Sequence, residues 1–429
     1  MSPQYAIVDG NNFYVSCERV FNPKLEGRPV IVLSNNDGCA VARSDEAKSL
    51  GIKMGQPWFE VRTIIEKNNG IGLSSNYALY ADMSRRMMSV IGQFAPEQEV
   101  YSIDESFLYY QGFQHWNLTE QGRQIRQRVK QWTGIPVGVG IGPTKTLAKL
   151  ANRLAKRHPD FKAIGVCNLQ DITPCNLIHY MTEIAIEDIW GIGRKWGSKL
   201  RQNGIQSAQD LKMAHPETLR RQFNVTLERT VRELNGIACI PLEDMPAAKQ
   251  QIIASRSFGQ PITEGQHLAE ALATHTARAA EKLRREGQRT QAIQVFISTN
   301  AFNPDEAQYH PATLIKLTQP TDDSAILIRA ARMGLRRIFR KGYKYKKCGV
   351  MLLEMTPAGV SQGNLFATGP EIDTQRRDQL LATLDSINHN MGCGTLRFAA
   401  EGINQPWQMR RDRVTPAYTT DWKGLPFAS

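Results

Sequence analysis

Tyr5-Ala6-Ile7-Val8-Asp9-Gly10-Asn11-Asn12-Phe13-Tyr14 is the stretch on which the fold turns. An apolar run ends in a carboxylate and a glycine, the pattern of a buried strand entering a turn. Asn11 or Asn12 then offers a cap for a helix reaching about Val20. Downstream, two β-rich runs, 100–103 and 107–110, flank Asp104-Glu105 and predict a hairpin with acids at its turn. A helix over 118–132 follows, and then the apolar, glycine-studded run 135–141, which reads as a central strand. The order β-α-β-β-α-β is a split βαβ layout with a long insert after the first helix. That insert predicts a strand over 29–33 and a helix over 45–50 closed by Gly51.

The rest of the chain carries two further textures. Residues 188–205 contain Trp190-Gly191-Ile192-Gly193, then Arg194-Lys195 and Asn203-Gly204. Two short helices joined by a Gly-x-Gly hairpin fit this text, whose free backbone N–H groups can hold a phosphate. A dinucleotide fold would need a preceding strand and a third glycine, and neither is present. Pro241, Pro246 and the mixed run 243–251 read as a linker. Beyond it the pattern is strand (252–258), helix (268–285), strand (291–298), strand (313–317), helix (325–340) and strand (349–353), a second small α/β sandwich. Its rim holds Arg329, Arg332, Arg336, Arg337, Arg340, Lys341, Lys344, Lys346 and Lys347 with no acid between them. A short run of cations is a solvated helix face; a run this long makes a phosphate-tracking surface the better reading.

Composition narrows the partner. The 429 residues are enough for several domains, with 41% apolar and 22% charged residues, ordinary values for folded protein. Lys plus Arg number 53 against 41 acids, a net charge of +12 that suits a polyanion. Seven scattered cysteines without a CxxC pair argue against a disulfide framework and for a reducing cytoplasm. Met1 to Asp9 lacks a basic region followed by an apolar stretch, and no run of ~18 apolar residues occurs, so a cytoplasmic, nucleoid-associated protein without a membrane partner is expected. HExxH, Gly-x-Ser-x-Gly and Walker-type motifs are absent, which sets aside zinc hydrolysis, serine hydrolysis and P-loop ATPase chemistry.

Three carboxylates carry the chemistry: Asp9 at a strand end, and Asp104 with Glu105 between two strands. Magnesium takes hard oxygen ligands and keeps waters or phosphates as the remainder, so two or three acids and the Gly10 carbonyl suffice. Adjacent strand residues point to opposite faces, so Asp104 and Glu105 share a site only if the backbone bends there. By themselves they fit an acidic turn in solvent equally well. The split βαβ topology favours the metal reading, because it sets the first strand beside the hairpin. A second cluster is basic: Arg43 and Lys48 in the insert, then Lys145, Lys149, Lys156 and Arg157. The last lysines share a helix face if that helix starts near Thr144, and opposite a metal site they read as a triphosphate clamp. Phe13 reads as buried; Tyr14, one turn past Asp9, is either its buried partner or a ring over the sugar of a bound nucleotide, and the spacing does not choose between them.

These segments resemble the Y-family translesion DNA polymerases and, within them, the UmuC type, the catalytic subunit of the bacterial SOS mutagenesis polymerase. The matching text is Asp9-Gly10-Asn11-Asn12-Phe13-Tyr14, Leu33-Ser34-Asn35-Asn36-Asp37-Gly38-Cys39, Ser74-Ser75-Asn76-Tyr77, Tyr101-Ser102-Ile103-Asp104-Glu105, the run 140–149 and Trp190-Gly191-Ile192-Gly193. Similarity continues through Arg256-Ser257-Phe258-Gly259 and the run 394–399. The resemblance implies a multidomain α/β (α+β) right-hand polymerase: a ferredoxin-like split βαβ palm (1–26 and 76–166), small fingers (27–75), a helix-hairpin-helix thumb (167–240), an α/β little finger (243–355) and a tail (356–429). It implies two Mg²⁺ ions on Asp9, Gly10, Asp104 and Glu105, and nucleotide contacts from Phe13, Tyr14, Arg43, Lys48 and Lys156. DNA contacts would come from Gly191, Gly193, Arg194, Lys195, Arg256, Arg332, Arg336, Arg337 and Lys341. Many relatives hold the triphosphate with Tyr and Arg three apart in the fingers; Asp45 and Lys48 stand there instead.

Gln362-Gly363-Asn364-Leu365-Phe366 resembles a sliding-clamp-binding pentapeptide, with Gln362, Leu365 and Phe366 as contacts. Primer-template DNA, a dNTP, the bacterial sliding clamp, a cleaved accessory dimer (UmuD type) and a recombinase filament (RecA type) are the implied partners. The implied function is template-directed, error-prone DNA synthesis past damaged bases in SOS mutagenesis. The rival is a catalytically silent DNA-binding scaffold of a repair complex, which the presence of all three acids disfavours.

Overall fold

The chain opens with β1 (Gln4–Gly10), α1 (Phe13–Phe21), β2 (Val30–Leu33), β3 (Ala40–Arg43), α2 (Asp45–Ser49), α3 (Trp58–Lys67), β4 (Ile71–Ser74) and α4 (Tyr77–Ile91). It continues through β5 (Glu97–Val100), β6 (Glu105–Tyr110), α5 (Leu118–Thr133), β7 (Val137–Gly142), α6 (Lys145–Arg157), α7 (Pro159–Lys162) and β8 (Val166–Asn168). Five helices follow: α8 (Pro174–Glu183), α9 (Arg194–Gln202), α10 (Ala208–Met213), α11 (Pro216–Gln222) and α12 (Val225–Leu234). The structure is a computed structural model that describes residues 3–113, 115–243, 249–358, 374–392 and 394–425. It divides into two compact units, Met1–Pro246 with Arg413–Ser429, and Ala247–Asp412. Residues 374–412 of the expected tail therefore fall in the second unit and 413–425 in the first.

β1 reads as one apolar run because it is buried from both sides. It lies in the middle of a five-stranded sheet ordered β5-β6-β1-β7-β8, antiparallel to β6 and β7. Ile7 and Val8 are fully buried, as a strand covered on both faces requires. The glycines of β7 have a steric cause. A Cβ on Gly140 would lie 2.1 Å from the Asn152 nitrogen and 2.4 Å from the Ala148 oxygen, and one on Gly138 would lie 2.9 Å from Lys156 Cε. Helix α6 thus rests directly on the strand backbone, and that closeness brings its polar face to the end of β1.

Two local expectations differ from the structure. The strand before the acids spans Glu97–Val100 and not 100–103, because the amides of Tyr101 and Ser102 both turn to the Glu105 carbonyl at 3.1 Å and leave the ladder. The first arm of the glycine hairpin is a single 3₁₀ turn, Ile186–Asp188. Ile186, Ile189 and Ile192 are all buried, a spacing of three that suits a 3₁₀ turn. Gly191 sits at φ +86°, a left-handed conformation that favours glycine. The insert forms its own three-stranded sheet, β3-β2-β4, with β2 and β4 parallel.

The second unit contains β9 (Ile252–Ile262), α13 (Gly265–Arg285), β10 (Gln288–Ser298), β11 (Ala312–Thr321), α14 (Ser324–Ile338), β12 (Tyr345–Pro357) and α15 (Thr374–Asn390). Its sheet order is β11-β10-β12-β9. Leu272 and Leu283 of α13 and Leu327 and Leu335 of α14 share one core with Ile293, Val295, Cys348 and Val350 of the sheet. Helix α15 is pinned by Arg284, whose guanidinium donates to both Asp385 oxygens at 2.7 and 2.8 Å.

His275 is buried in this unit at 2% exposure, and its Nε2 atom has no hydrogen-bond partner. Burial, helped by Arg278 and Arg256, pushes its pKa down to about 3. The unfolded chain binds a proton there near pH 6.5 and the folded one does not, so the His275 contribution is full above that pH and is lost as pH falls toward 3. Melting curves of the whole chain between pH 7 and 4 should show a loss of stability that His275→Leu reduces; parallel pH profiles for the two would contradict this.

Candidate active site

The register of β1 on β6 sets Asp9 directly opposite Glu105. Asp104 lies in the turn one residue before the ladder begins, and the Gly10 amide donates to its carbonyl at 2.8 Å. Asp104 thus lies outside the ladder, where the strict alternation of strand side chains no longer applies. The Ser102 hydroxyl donates to Asp104 Oδ1 at 2.8 Å and orients the carboxylate. Asp9 Oδ1 pairs with Lys156 at 2.6 Å, Asp9 Oδ2 accepts from Asn152 at 3.0 Å, and Glu105 pairs with Lys149 at 2.8 Å. Burial raises Asp104 above the usual carboxylate range, and the Asp9 charge adds to it. Burial also raises Glu105, against the lowering pull of Lys149, with Asp9 and Asp104 repelling.

No three acidic, histidine or cysteine side chains among the described residues are drawn together as a preformed metal cluster. Two of the three acids instead hold lysine ammonium groups, and Asp104 forms no ion pair among the described residues. The donor chemistry fits a divalent cation: three half-buried acids whose charges repel one another. A Cβ at position 10 would meet the Phe13 ring at 3.0 Å and Asp104 Cβ at 3.6 Å, so glycine keeps this corner open.

Asp9 and Glu105 open on a cleft of about 990 Å³ whose wall includes Asn12, Arg43, Asp45, Lys48, Lys149, Asn152, Lys156 and Arg157. Arg43 Nη1 donates to the Ile52 carbonyl at 2.7 Å while its buried Nε has no partner. Burial pulls the Arg43 pKa down, and the neighbouring Arg157 charge adds to that pull. Two like charges held together in a cleft wall call for an anion between them. Lys48 spends its ammonium on Asp45 Oδ1 at 2.9 Å and on Asn12, so the fingers pair that departs from the commoner pattern is internally neutralised.

Several expected residues sit elsewhere. Lys145 is not part of a triphosphate clamp: it is 1% exposed, pairs with buried Glu99 and donates to the Pro241 carbonyl at 2.7 Å. Breaking such a buried pair costs about 3–5 kcal/mol, which marks Lys145 as structural. Phe13 is core at 3% exposure and supports the site without facing the cleft. Tyr14 is not among the residues that line the cleft; its ring stacks on Tyr80 at 4.4 Å and its hydroxyl pKa is raised by burial first, then by Tyr77 and Asp104. Gly193 precedes α9, whose Arg194 and Lys195 line a second, open surface cleft with Trp196 and Lys199. Arg332, Arg336, Arg337 and Lys341 are exposed, and Arg256 is exposed on β9. Gln362, Leu365 and Phe366 lie outside the described residues. Asn152 was missed, although it shares a helix face with Lys149 and Lys156 and that periodicity marks it. Tyr80 and Trp190 carry no such sequence signal; Trp190, with Tyr101 and Phe107, cages the Lys149 ammonium, 4.7 Å from the Tyr101 ring.

Residues 8–153 match the model of the impB/mucB/samB family, and residues 249–365 match that family's C-terminal domain. Protein SamB of Salmonella typhimurium is 46% identical over 99% of both chains. The chain belongs to the impB/mucB/samB family. Protein UmuC of Salmonella typhimurium is 44% identical over 98% of this chain and 99% of its own. A Y-family DNA polymerase chimera of Dbh and Dpo4 has the same fold, with a TM-score of 0.64 and 21% identity over 82% of this chain and 99% of its own. Residues 378–428 match a domain of unknown function, DUF4113.

Proposed function

We propose that this UmuC-type chain is a DNA-directed DNA polymerase that copies past damaged bases. The observation that carries the reading is the pairing of Asp9 with Glu105 at a cleft walled by Arg43, Lys156 and Arg157, with Asp104 in the adjoining turn. Acids for the cations and bases for the triphosphate then line one nucleotide-sized cleft, with Lys156 paired to Asp9. Asp9, the Gly10 carbonyl, Asp104 and Glu105 would hold two magnesium ions, which when bound activate the primer 3′-hydroxyl and neutralise the departing pyrophosphate. Arg43, Lys156 and Arg157 bind and orient the triphosphate, with Lys48 beside them at the rim. Lys149 keeps Glu105 in place, its ammonium held by both the carboxylate and the ring cage. Tyr14 closes the sugar side of the site and leaves no room for a 2′-hydroxyl. Most of the rate then comes from positioning and charge stabilisation.

Primer extension on a template with an abasic site tests this directly. Extension that needs dNTPs and Mg²⁺ is expected. DNA binding without extension would instead indicate a silent scaffold, and degradation without dNTPs a nuclease.

The DNA path in this reading uses the Gly191–Gly193 hairpin, Arg194 and Lys195 on one unit, and Arg256, Arg332, Arg336, Arg337 and Lys341 on the other. Replacing Arg332, Arg336, Arg337 and Lys341 by glutamine should weaken binding for all DNA sequences alike and reduce the salt slope by up to about 3–4, since each lost phosphate contact removes ~0.9. Equal slopes for variant and parent would leave this face a solvated helix surface.

The biological setting in this reading, supported by the likeness to protein UmuC, is SOS mutagenesis in the cytoplasm at the nucleoid, with a UmuD-type accessory dimer, a RecA-type filament and the sliding clamp. No helix among the described residues is long and apolar enough to cross a membrane. In this setting Gln362, Leu365 and Phe366 engage the clamp. Replacing Leu365 and Phe366 by alanine should abolish clamp-stimulated synthesis and preserve clamp-free extension; equal loss of both, or of neither, overturns that role.

A further inference from the structure

The motif Ser74-Ser75-Asn76-Tyr77 has no part in the chemistry above, yet its first three residues are buried. What covers it is the far end of the chain. The Ser74 amide donates to the Arg413 carbonyl at 3.0 Å, and the Arg413 amide returns a bond to the Ser74 hydroxyl at 3.0 Å. Asn76 Nδ2 faces the Thr415 carbonyl, the Thr415 hydroxyl and the Pro416 carbonyl at 3.2, 3.1 and 3.1 Å. Its Oδ1 meanwhile caps α4 by accepting from the Leu79 amide. The Arg413 guanidinium lies over the Trp58 ring at 5.0 Å, and Tyr418 stacks on Phe21 of α1 at 4.8 Å with the rings 6° from parallel.

From this seat a polar chain leads to the nucleotide side. The Thr415 hydroxyl donates to Oε1 of Glu18, which is 1% exposed, at 3.2 Å. The Tyr80 hydroxyl donates to the same oxygen at 2.7 Å, and the Tyr80 ring stacks on Tyr14. Glu18 comes from α1, Tyr80 from α4 and Thr415 from the C-terminal segment, so three distant parts of the sequence meet at one buried carboxylate. Glu18 Oε1 accepts both bonds while its buried Oε2 has no partner, so losing either donor leaves the carboxylate still less compensated.

We propose that residues 413–418, within the region matching a domain of unknown function, are a clasp that docks on Ser74–Asn76 and, through Thr415, Glu18 and Tyr80, positions Tyr14 for sugar discrimination. The clasp touches no substrate; Thr415 and Asn76 are positioning residues. The inference rests on the polymerase reading of Tyr14.

The test uses the full chain and three single variants. Asn76→Asp keeps the α4 cap and removes the donors to the clasp; Thr415→Val removes the hydroxyl; Thr415→Ser restores it. Single-nucleotide insertion gives the ratio of dNTP to rNTP efficiency, and hydrogen exchange follows the amides of α1 and of the first turn of α4. Asn76→Asp and Thr415→Val should lower the ratio of dNTP to rNTP efficiency about tenfold, mainly through a lower KM for rNTP, and speed exchange at both helices, while Thr415→Ser stays near the parent. Unchanged exchange overturns the docking, and faster exchange with an unchanged sugar ratio reduces the clasp to a structural strap; either result sinks the proposal. A parent that adds no nucleotide fails the polymerase reading and takes this inference with it, a result distinct from both.

Discussion

Asp104→Ala should lower nucleotide addition by about 10³-fold or more while primer-template binding stays close to the parent's. The Asp104 carboxylate faces Asp9 and Ser102 and not a phosphate-binding surface, so DNA affinity has no reason to follow it. Stability should move the other way. Burial and the Asp9 charge hold the Asp104 pKa above its ordinary value, which means that the ionised carboxylate is unfavourable in the folded chain at neutral pH. Removing it relieves that cost, so the melting temperature of the variant without added metal should equal or exceed the parent's. Loss of activity together with equal or greater stability is the mark of a group kept for function. Extension by the variant at the parent's rate in saturating Mg²⁺ would remove Asp104 from the site.

Tyr14→Ala should let ribonucleotides in, raising rNTP relative to dNTP insertion by about 10²-fold or more. The ring is held between Tyr80, stacked at 4.4 Å, and the edge of Tyr77 at 6.3 Å, so it stands in one place. Such stacking adds about 0.5–1.5 kcal/mol beyond burial, enough to keep the ring against the sugar but modest enough that its loss leaves the fold intact. Tyr14→Phe should retain discrimination, because exclusion here is a matter of ring volume and not of the hydroxyl. If the alanine variant excludes rNTPs as the parent does, Tyr14 is not the gate.

Local physics made much of this protein legible in one dimension. β1, α5, β7 and α6 each follow from a short-range pattern: an apolar run ending at Asp9-Gly10, a helical stretch over 118–132, a glycine-studded apolar run, and a helix starting near Thr144. The pairing of Asp9 with Glu105 was readable for the same reason, since chain order in a split βαβ unit dictates that the first strand neighbours the hairpin. The alternation rule raised the right question about Asp104 and Glu105, and the answer, a turn closed on the Glu105 carbonyl, is a local event as well.

What only the tertiary structure decided is which of several equivalent residues meets which partner. Lys145, Lys149 and Lys156 share one helix face and look alike in the sequence. Glu99 and the Pro241 carbonyl bury the first, the ring cage and Glu105 hold the second, and Asp9 takes the third at the cleft. The glycines of β7 are a permissive strand in the sequence and a contact surface for α6 in the fold. The seat of residues 413–418 on Ser74 and Asn76 joins positions 339 and 340 apart. No periodicity or capping rule spans such a separation, because patterns of spacing encode the faces of single elements, whereas the pairing of faces depends on the free energy of the whole packed chain.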